Sequence, residues 1–174
     1  MNSLFAGLDV STQSCKLVVI DTDANAHDVT LSPDGRLAFV TNSGFVHEPD
    51  DRVTYLDVAT RKVLGTIRVG KYPFHSPKRG RDGNDVPAVA PEMWFSDHGL
   101  KAVVAVSLTD LRVIGSVPVG AEPYHVAATP SGILFVANHT SNTVTIIDGP
   151  RRAPLGTLRV PPRPHGLAVL VHSP

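Results

Sequence analysis

Ser32-Pro-Asp-Gly-Arg-Leu-Ala-Phe-Val-Thr-Asn42 predicts a tight turn that leads into a β-strand. Proline presets φ for the first turn position and glycine accepts positive φ, so Pro33 to Gly35 predicts the turn of a hairpin. The other strand of this hairpin is Asp28-Val-Thr-Leu-Ser32, in which apolar and polar residues alternate. The same order returns with a turn at Pro130 to Gly132 and a strand at Ile133-Leu-Phe-Val-Ala-Asn138. The chain therefore contains two copies of one hairpin pattern.

A second element recurs downstream of each hairpin. Arg61-Lys-Val-Leu-Gly-Thr-Ile-Arg-Val-Gly70 returns as Leu111-Arg-Val-Ile-Gly-Ser-Val-Pro-Val-Gly120, and more loosely as Arg152-Ala-Pro-Leu-Gly-Thr-Leu-Arg-Val-Pro161. Each copy is followed by a Pro and a His, and one further His precedes the first copy. These four histidines lie 48, 50 and 40 residues apart: His27, His75, His125 and His165. A period of this length is typical of one four-stranded sheet per repeat.

The third strand of each unit is rich in β-branched residues, as in Arg52-Val-Thr-Tyr-Leu-Asp57 and Thr143-Val-Thr-Ile-Ile-Asp148. No segment combines a 3.6-residue apolar period with helix caps. The sequence therefore predicts an all-β chain, a partial β-propeller of about three four-stranded antiparallel blades. Because a propeller ring usually closes with four to eight blades, the expected form is an open arc.

The middle repeat departs from this pattern. Ser76-Pro-Lys-Arg-Gly-Arg-Asp-Gly-Asn-Asp-Val-Pro87 replaces its first strand with turn formers and charges, which predicts a long surface loop. Loops at one face of a rigid scaffold carry recognition, so this loop is the predicted partner contact. Its charged residues are Arg79, Arg81, Asp82 and Asp85.

The order of turn, strand and glycine-containing strand in these repeats resembles the YVTN family of β-propeller repeats over residues 26–170. The resemblance implies WD40-like sheets packed around a channel, and a role in binding or at a surface. A similar layout occurs in lactonase-type propellers and in propellers that hold copper or haem. The family resemblance therefore specifies the fold more closely than the activity.

The first residues allow two interpretations. Residues 4–21 resemble the opening hairpin of FGGY-type sugar kinases such as xylulokinase, and that resemblance implies phosphate contacts at Asp9, Ser11 and Thr12. Alternatively, the segment is two strands of a blade, because it aligns with Leu134 to Asp148 apart from a longer turn. We expect residues 1–25 to form a hairpin and residues 26–174 to form the repeats. A further hypothesis, which concerns the whole chain, is that it is a chimeric remnant of such a kinase without activity.

The four repeated histidines hold one position, just ahead of the first strand of each unit. In a propeller this strand runs beside the channel, so their imidazoles are predicted to converge, which suits Cu or Zn. A second series, His98 and His139, follows the second strand. The alternative is that Pro-x-His is a loop motif whose histidine caps backbone groups once per repeat.

Composition excludes several classes. Lys+Arg and Asp+Glu both number 16, so the chain lacks the basic excess that nucleic-acid binding requires. The single cysteine, Cys15, excludes an internal disulfide. No apolar run approaches the length of a membrane helix. Residues 1–21 lack a secretory signal, which predicts the cytoplasm, although members of the family that the repeats resemble are often exported.

The sequence thus favours a non-enzymatic binding module that contacts a protein partner or a second copy of itself through open blade edges. Two enzymatic alternatives remain open. One is a metal- or cofactor-binding propeller that uses the channel histidines, and the other is a lactonase-like hydrolase.

Overall fold

A computed structural model describes residues 3–11, 14–22, 26–45, 48–76 and 92–169. All regular secondary structure in these ranges is β-strand, as the sequence predicts. None of the described segments supplies a helix with the length and apolarity needed to cross a bilayer. The strands form four consecutive antiparallel sheets.

The N-terminal sheet is a hairpin of two strands, β1 (Ser3–Ser11) and β2 (Ser14–Thr22). It is followed by a four-stranded sheet, here the first sheet, whose strand order is the chain order. Its strands are β3 (Ala26–Leu31), β4 (Leu37–Phe45), β5 (Glu48–Asp57) and β6 (Lys62–Arg68). β1 of the hairpin approaches β3 of this sheet.

The middle sheet and the third sheet follow the same order. The middle sheet contains β7 (Glu92–Asp97), β8 (Ala102–Ser107) and β9 (Arg112–Pro118). The third sheet contains β10 (Pro123–Ala128), β11 (Ile133–Asn138), β12 (Thr143–Asp148) and β13 (Ala153–Arg159). The predicted strands of the two regular repeats are confirmed to within a few residues at their ends.

The turn of the first sheet forms as its residue types predict. Gly35 has φ of 69°, a left-handed conformation that glycine adopts without a steric penalty. The Ser32 hydroxyl donates to the Asp34 carboxylate at 2.6 Å and accepts from the Leu37 N–H at 2.9 Å. Gly132, at the matching turn of the third sheet, has φ of 85°. Both hairpins are therefore specified by local sequence.

The middle sheet obtains its innermost strand from a short segment that follows β6. Pro73 forms a β-bridge with Asp97 at the end of β7. The Phe74 N–H donates to the Ser96 carbonyl at 2.8 Å, and the Ser96 N–H donates to the His75 carbonyl at 2.7 Å. This pairing brings the middle sheet to four strands. The predicted loop lies at residues 76–87, of which residues 77–87 are outside the described ranges.

Two apolar layers join the three sheets face to face. The layer between the first and middle sheets consists of Phe39, Val53, Ile67, Val69, Met93, Phe95, Val104 and Val106. The layer between the middle and third sheets consists of Trp94, Val103, Ala105, Val117, Val126, Ala128, Leu134, Val136 and Ile147. The middle sheet is thus packed on both faces, which is the arrangement of adjacent propeller blades.

One aromatic position shows how the layers repeat. Equivalent positions three residues before Asn42, Asp97 and Asn138 are occupied by Phe39, Trp94 and Phe135. Phe39 and Trp94 are buried, and each points toward the next sheet along the chain. Phe135 is not part of the core between sheets, because it lies on the other face of the third sheet from Leu134 and is only half-buried. Phe95, in contrast, is fully buried.

Candidate functional site

The repeated histidines lie side by side along the inner edge of the arc. His27 is in β3, His75 follows Phe74 in the segment that pairs with β7, and His125 is in β10. His165 lies in the last described segment, which has no regular secondary structure. The ring centroids of successive histidines are 4.9, 4.5 and 5.3 Å apart. Equivalent positions in successive repeats have therefore produced a continuous row of imidazoles.

His27 and His75 make the closest contact in this row. Their Nε2 atoms are 3.4 Å apart. The other ring nitrogen of His75, Nδ1, is 3.3 Å from Oδ2 of Asp28. The Ser76 N–H donates to the same carboxylate oxygen at 3.4 Å. An acidic side chain thus lies behind the histidine pair.

Aromatic residues connect the two histidine series. Phe74 stacks on His27 with ring centroids 3.6 Å apart and also contacts His98 at 4.1 Å. Tyr124 contacts His98, His139 and His165 at 4.9, 4.8 and 4.6 Å. We call the whole set the histidine–aromatic cluster. Its members are His27, Tyr72, Phe74, His75, His98, Tyr124, His125, His139 and His165.

Sequence analysis missed the aromatic members of the cluster. Phe74 and Tyr124 occupy the middle position of Pro-x-His in two repeats. This recurrence is visible in the sequence, and it indicates that an aromatic ring precedes the histidine on the channel side in both repeats. The structure shows that these rings separate and orient the histidines.

The two carboxylates of β7, Asp97 and Glu92, accept hydrogen bonds from other groups of the chain. The Asp97 side chain is fully buried and accepts hydrogen bonds from the Lys71, Tyr72 and Leu100 N–H groups at 2.8, 2.9 and 2.7 Å. Glu92 accepts from the Arg152 guanidinium. In the described ranges no three His, Cys, Asp or Glu side chains are arranged to hold a metal ion.

His98 has a strongly lowered pKa. Desolvation by burial lowers its pKa from 6.5 to about 4, against the opposing charge of Glu122. The neutral imidazole is therefore the form that suits the folded chain. Its Nε2 atom is buried and makes no hydrogen bond.

We expect the folded chain to lose stability as the pH falls from neutral. Because the pKa of His98 is lower in the folded state than in the unfolded state, its contribution is complete above pH 6.5 and is lost between pH 6.5 and 4. Urea unfolding at pH 7 and pH 5 should differ by about 1 to 2 kcal/mol more in the wild type than in His98→Gln. His139→Gln is the matched control and should keep the wild-type difference. An unchanged difference in His98→Gln would contradict the assignment.

Some predicted residues cannot be placed in the site. Asp9 and Ser11 lie in β1, for which the structure describes only the backbone pairing with β2. Thr12 and the loop residues Arg79, Arg81, Asp82 and Asp85 lie outside the described ranges. Their predicted roles remain predictions.

Comparisons with known proteins support the architecture. No protein-family model and no curated protein sequence matches the chain. Among solved structures, it is similar to "Kuenenia stuttgartiensis Hydrazine Synthase", with 24% identity, a TM-score of 0.67, and coverage of 83% of this chain and 38% of that chain. It is also similar to the WD40 repeats of RRP9, with 12% identity, a TM-score of 0.63, and coverage of 90% and 44%. A chain of a mitotic checkpoint complex has 18% identity, a TM-score of 0.63, and coverage of 83% and 40%.

The chain spans about two fifths of the length of these solved chains. At such identities the likeness concerns the fold alone. Together with the consecutive antiparallel sheets and the apolar layers between them, it shows that the chain is all-β and forms a partial β-propeller of three four-stranded blades.

Proposed function

We propose that this chain is a non-enzymatic interaction module of the propeller type, which docks another β-sheet on the outer face of its third sheet. The observation that carries the proposal is the difference in burial at one equivalent position in the fourth strand of each sheet. Ile67 and Val117 are buried there in the layers between sheets. The equivalent Leu158 is 54% exposed. A position designed for burial between blades is thus open in the third sheet.

The surrounding face has the same apolar character. Phe135 is directly opposite Ile146, and Val144 is directly opposite Leu158, so these side chains share one face. Val144 is buried within the chain, whereas Phe135 and Ile146 are half-buried. The open part of the face is therefore the stretch around Phe135, Ile146 and Leu158. Exposed apolar patches of this kind mark interaction sites.

A second copy of this chain is the occupant that we propose. The two ends of the arc differ, because one carries the β1–β2 hairpin and the other carries the open face. Two copies related by a twofold axis along the channel would bring each open face against the hairpin end of the other copy. They would supply about four fifths of the length of the solved propeller chains. Self-association of this kind would complete most of a ring.

We expect light scattering on the 174-residue chain to give twice the chain mass of 18.5 kDa. Leu158→Lys should shift the chain to a monomer, because a charge in a closed apolar layer is costly. Leu155→Lys is the matched control. Leu155 is 59% exposed. Its equivalent Leu64 is also exposed, at 51%, although the first sheet packs against the middle sheet, so exposure at this position does not depend on a neighbouring blade. A monomer at all concentrations, or an equal effect of both variants, would refute the proposed occupant.

Finer assignments belong to the same proposal. We assign the repeats to the YVTN type on the recurring order of turn, second strand and glycine-containing strand. We assign the N-terminal hairpin to a blade-like role and not to phosphate binding, since its strands pair from Ser3↔Thr22 to Ser11↔Ser14 as blade strands do. The loop of residues 76–87 remains a second proposed contact. A metal-binding role is the second candidate function, and the His27–His75 pair favours it.

A further inference from the structure

The segment after β13 follows the path that leads, in the earlier repeats, from the fourth strand of one sheet to the first strand of the next. The Val160 N–H donates to the Asn142 carbonyl, and the matching bond follows the fourth strand of each of the two preceding sheets. Further along, the His165 ring centroid is 5.3 Å from that of His125, in the row of repeated histidines. Residues 165–169 therefore lie where a first strand would lie beside the third sheet.

This segment has the burial pattern of a strand but no strand partner. Leu167 and Val169 are half-buried, whereas Gly166 and Ala168 are exposed, so the side chains alternate with a period of two. In the part of the chain that the structure describes, residues 165–169 belong to none of the four sheets. In the first and third sheets, by contrast, the first strand pairs with the second strand of the same sheet. The segment thus offers an open strand edge.

The third sheet also lacks a bond that ties the other sheets to the first strand that follows them. A hydroxyl of the second strand donates to a backbone carbonyl of that first strand, from Thr41 to Phe74 and from Ser96 to Tyr124, at 2.8 Å in both cases. The equivalent residue of the third sheet is Ala137, which has no hydroxyl. Pairing with a second strand would supply the missing attachment.

The β1–β2 hairpin lacks a first strand in the described ranges, where it is a sheet of two strands. In sequence it aligns with Leu134 to Asp148, the second and third strands of the third sheet. β1 approaches β3, just as β7, the second strand of the middle sheet, approaches β10, the first strand of the third sheet. The position of β1 is therefore that of a second strand in a blade that precedes the first sheet.

We infer that residues 165–169 of one copy pair antiparallel with β1 of a second copy, so that the two chains build a composite blade. The inference rests on the proposed docking of the open face of the third sheet against the hairpin end of a second copy, and it names the strands that join there. The twofold relation gives two such blades in the dimer. In docking of this type, main-chain hydrogen bonds between the strands supply affinity.

Hydrogen–deuterium exchange of the full chain, followed by mass spectrometry, tests the composite blade. Light scattering identifies a dilute concentration at which the chain is monomeric and a higher one at which it is dimeric. We expect the amides of residues 165–169 and of β1 to exchange about tenfold more slowly in the dimer, because strand pairing protects them. The amides of β8, which lies between β7 and β9, should exchange at the same rate in both states.

Two proline substitutions separate strand pairing from the apolar docking face. Successive N–H groups of an edge strand point in opposite directions, so one of Leu167→Pro and Ala168→Pro removes an N–H that pairs with β1. The other removes an N–H that faces the channel. We expect the first kind of variant to weaken association about tenfold and to lose the slow exchange in β1, and the second kind to have a much smaller effect. Each variant is the control for the other, and circular dichroism verifies that both fold.

The outcomes distinguish this inference from the docking proposal. A dimer that Leu158→Lys dissociates, but in which residues 165–169 and β1 exchange at the monomer rate, would overturn the composite blade and leave the docking face in place. Equal effects of the two proline variants, or no effect of either, would also overturn it. A chain that stays monomeric at every concentration would refute both.

Discussion

Replacing Phe39 with alanine is expected to lower the free energy of unfolding by about 3 to 5 kcal/mol. Phe39 is fully buried in the layer between the first and middle sheets, where its ring centroid is 6.2 Å from that of Phe95. Truncation leaves a cavity that the flanking sheets can close only in part, because both are tied by their own hydrogen bonds. Urea unfolding measures the loss.

The matched control for Phe39 is the same substitution at the equivalent position of the third sheet. Phe135→Ala should cost about 1 kcal/mol, since this ring is half-buried and faces away from both layers. The comparison must be made at a concentration where the chain is monomeric, because a docked partner would stabilise the face around Phe135. Equal losses in the two variants would show that the sheets do not pack as separate blades.

Asp97→Ala is expected to lower the free energy of unfolding by about 3 kcal/mol. The carboxylate accepts three backbone hydrogen bonds, two from the segment after β6 and one from the turn after β7. Without it, those N–H groups lose their acceptor. The segment also leads directly to Phe74 and His75, so the near-ultraviolet circular dichroism of the cluster should weaken in the same variant.

The backbone at Gly70 packs closely against the Asp97 side chain. A Cβ added to Gly70 would lie 2.2 Å from the Asp97 carboxylate, so the chain approaches this side chain with no spare room. Asp97→Asn keeps one acceptor oxygen and should lose about half as much stability as the alanine variant. Asp57→Ala, at an exposed turn where the carboxylate accepts from Thr60, is the control and should change stability far less. A loss at Asp57 as large as that at Asp97 would contradict the role of burial.

Local chemistry allowed the strands and turns to be predicted from sequence. Pro33 to Gly35 and Pro130 to Gly132 specify their hairpins through backbone preferences that do not depend on distant residues. The row of histidines could be predicted as well, because equivalent positions in stacked repeats must be neighbours. The two apolar layers could also be predicted, because successive side chains of a strand point to opposite faces of its sheet.

Other features depend on contacts that sequence order does not contain. The pairing of Pro73 with Asp97 joins segments more than twenty residues apart, and a loop-like composition next to it hid the strand character of this segment. The exposure of Phe135 depends on what lies beyond the third sheet, and the residue itself is of the same type as the buried Phe39. The 3.4 Å separation of the two Nε2 atoms depends on how Phe74 orients the rings. Each of these features depends on the folded structure.

The middle sheet is packed on both faces, and this affects the order in which the sheets unfold and the ease with which repeats are lost or gained in evolution. Units held by neighbours on either side are the last to open, whereas a unit at the end frays first. A mutation or a deletion at the end of the array therefore unfolds or removes one sheet, while the other sheets remain folded. Arrays of different lengths can arise from one ancestral repeat for the same reason.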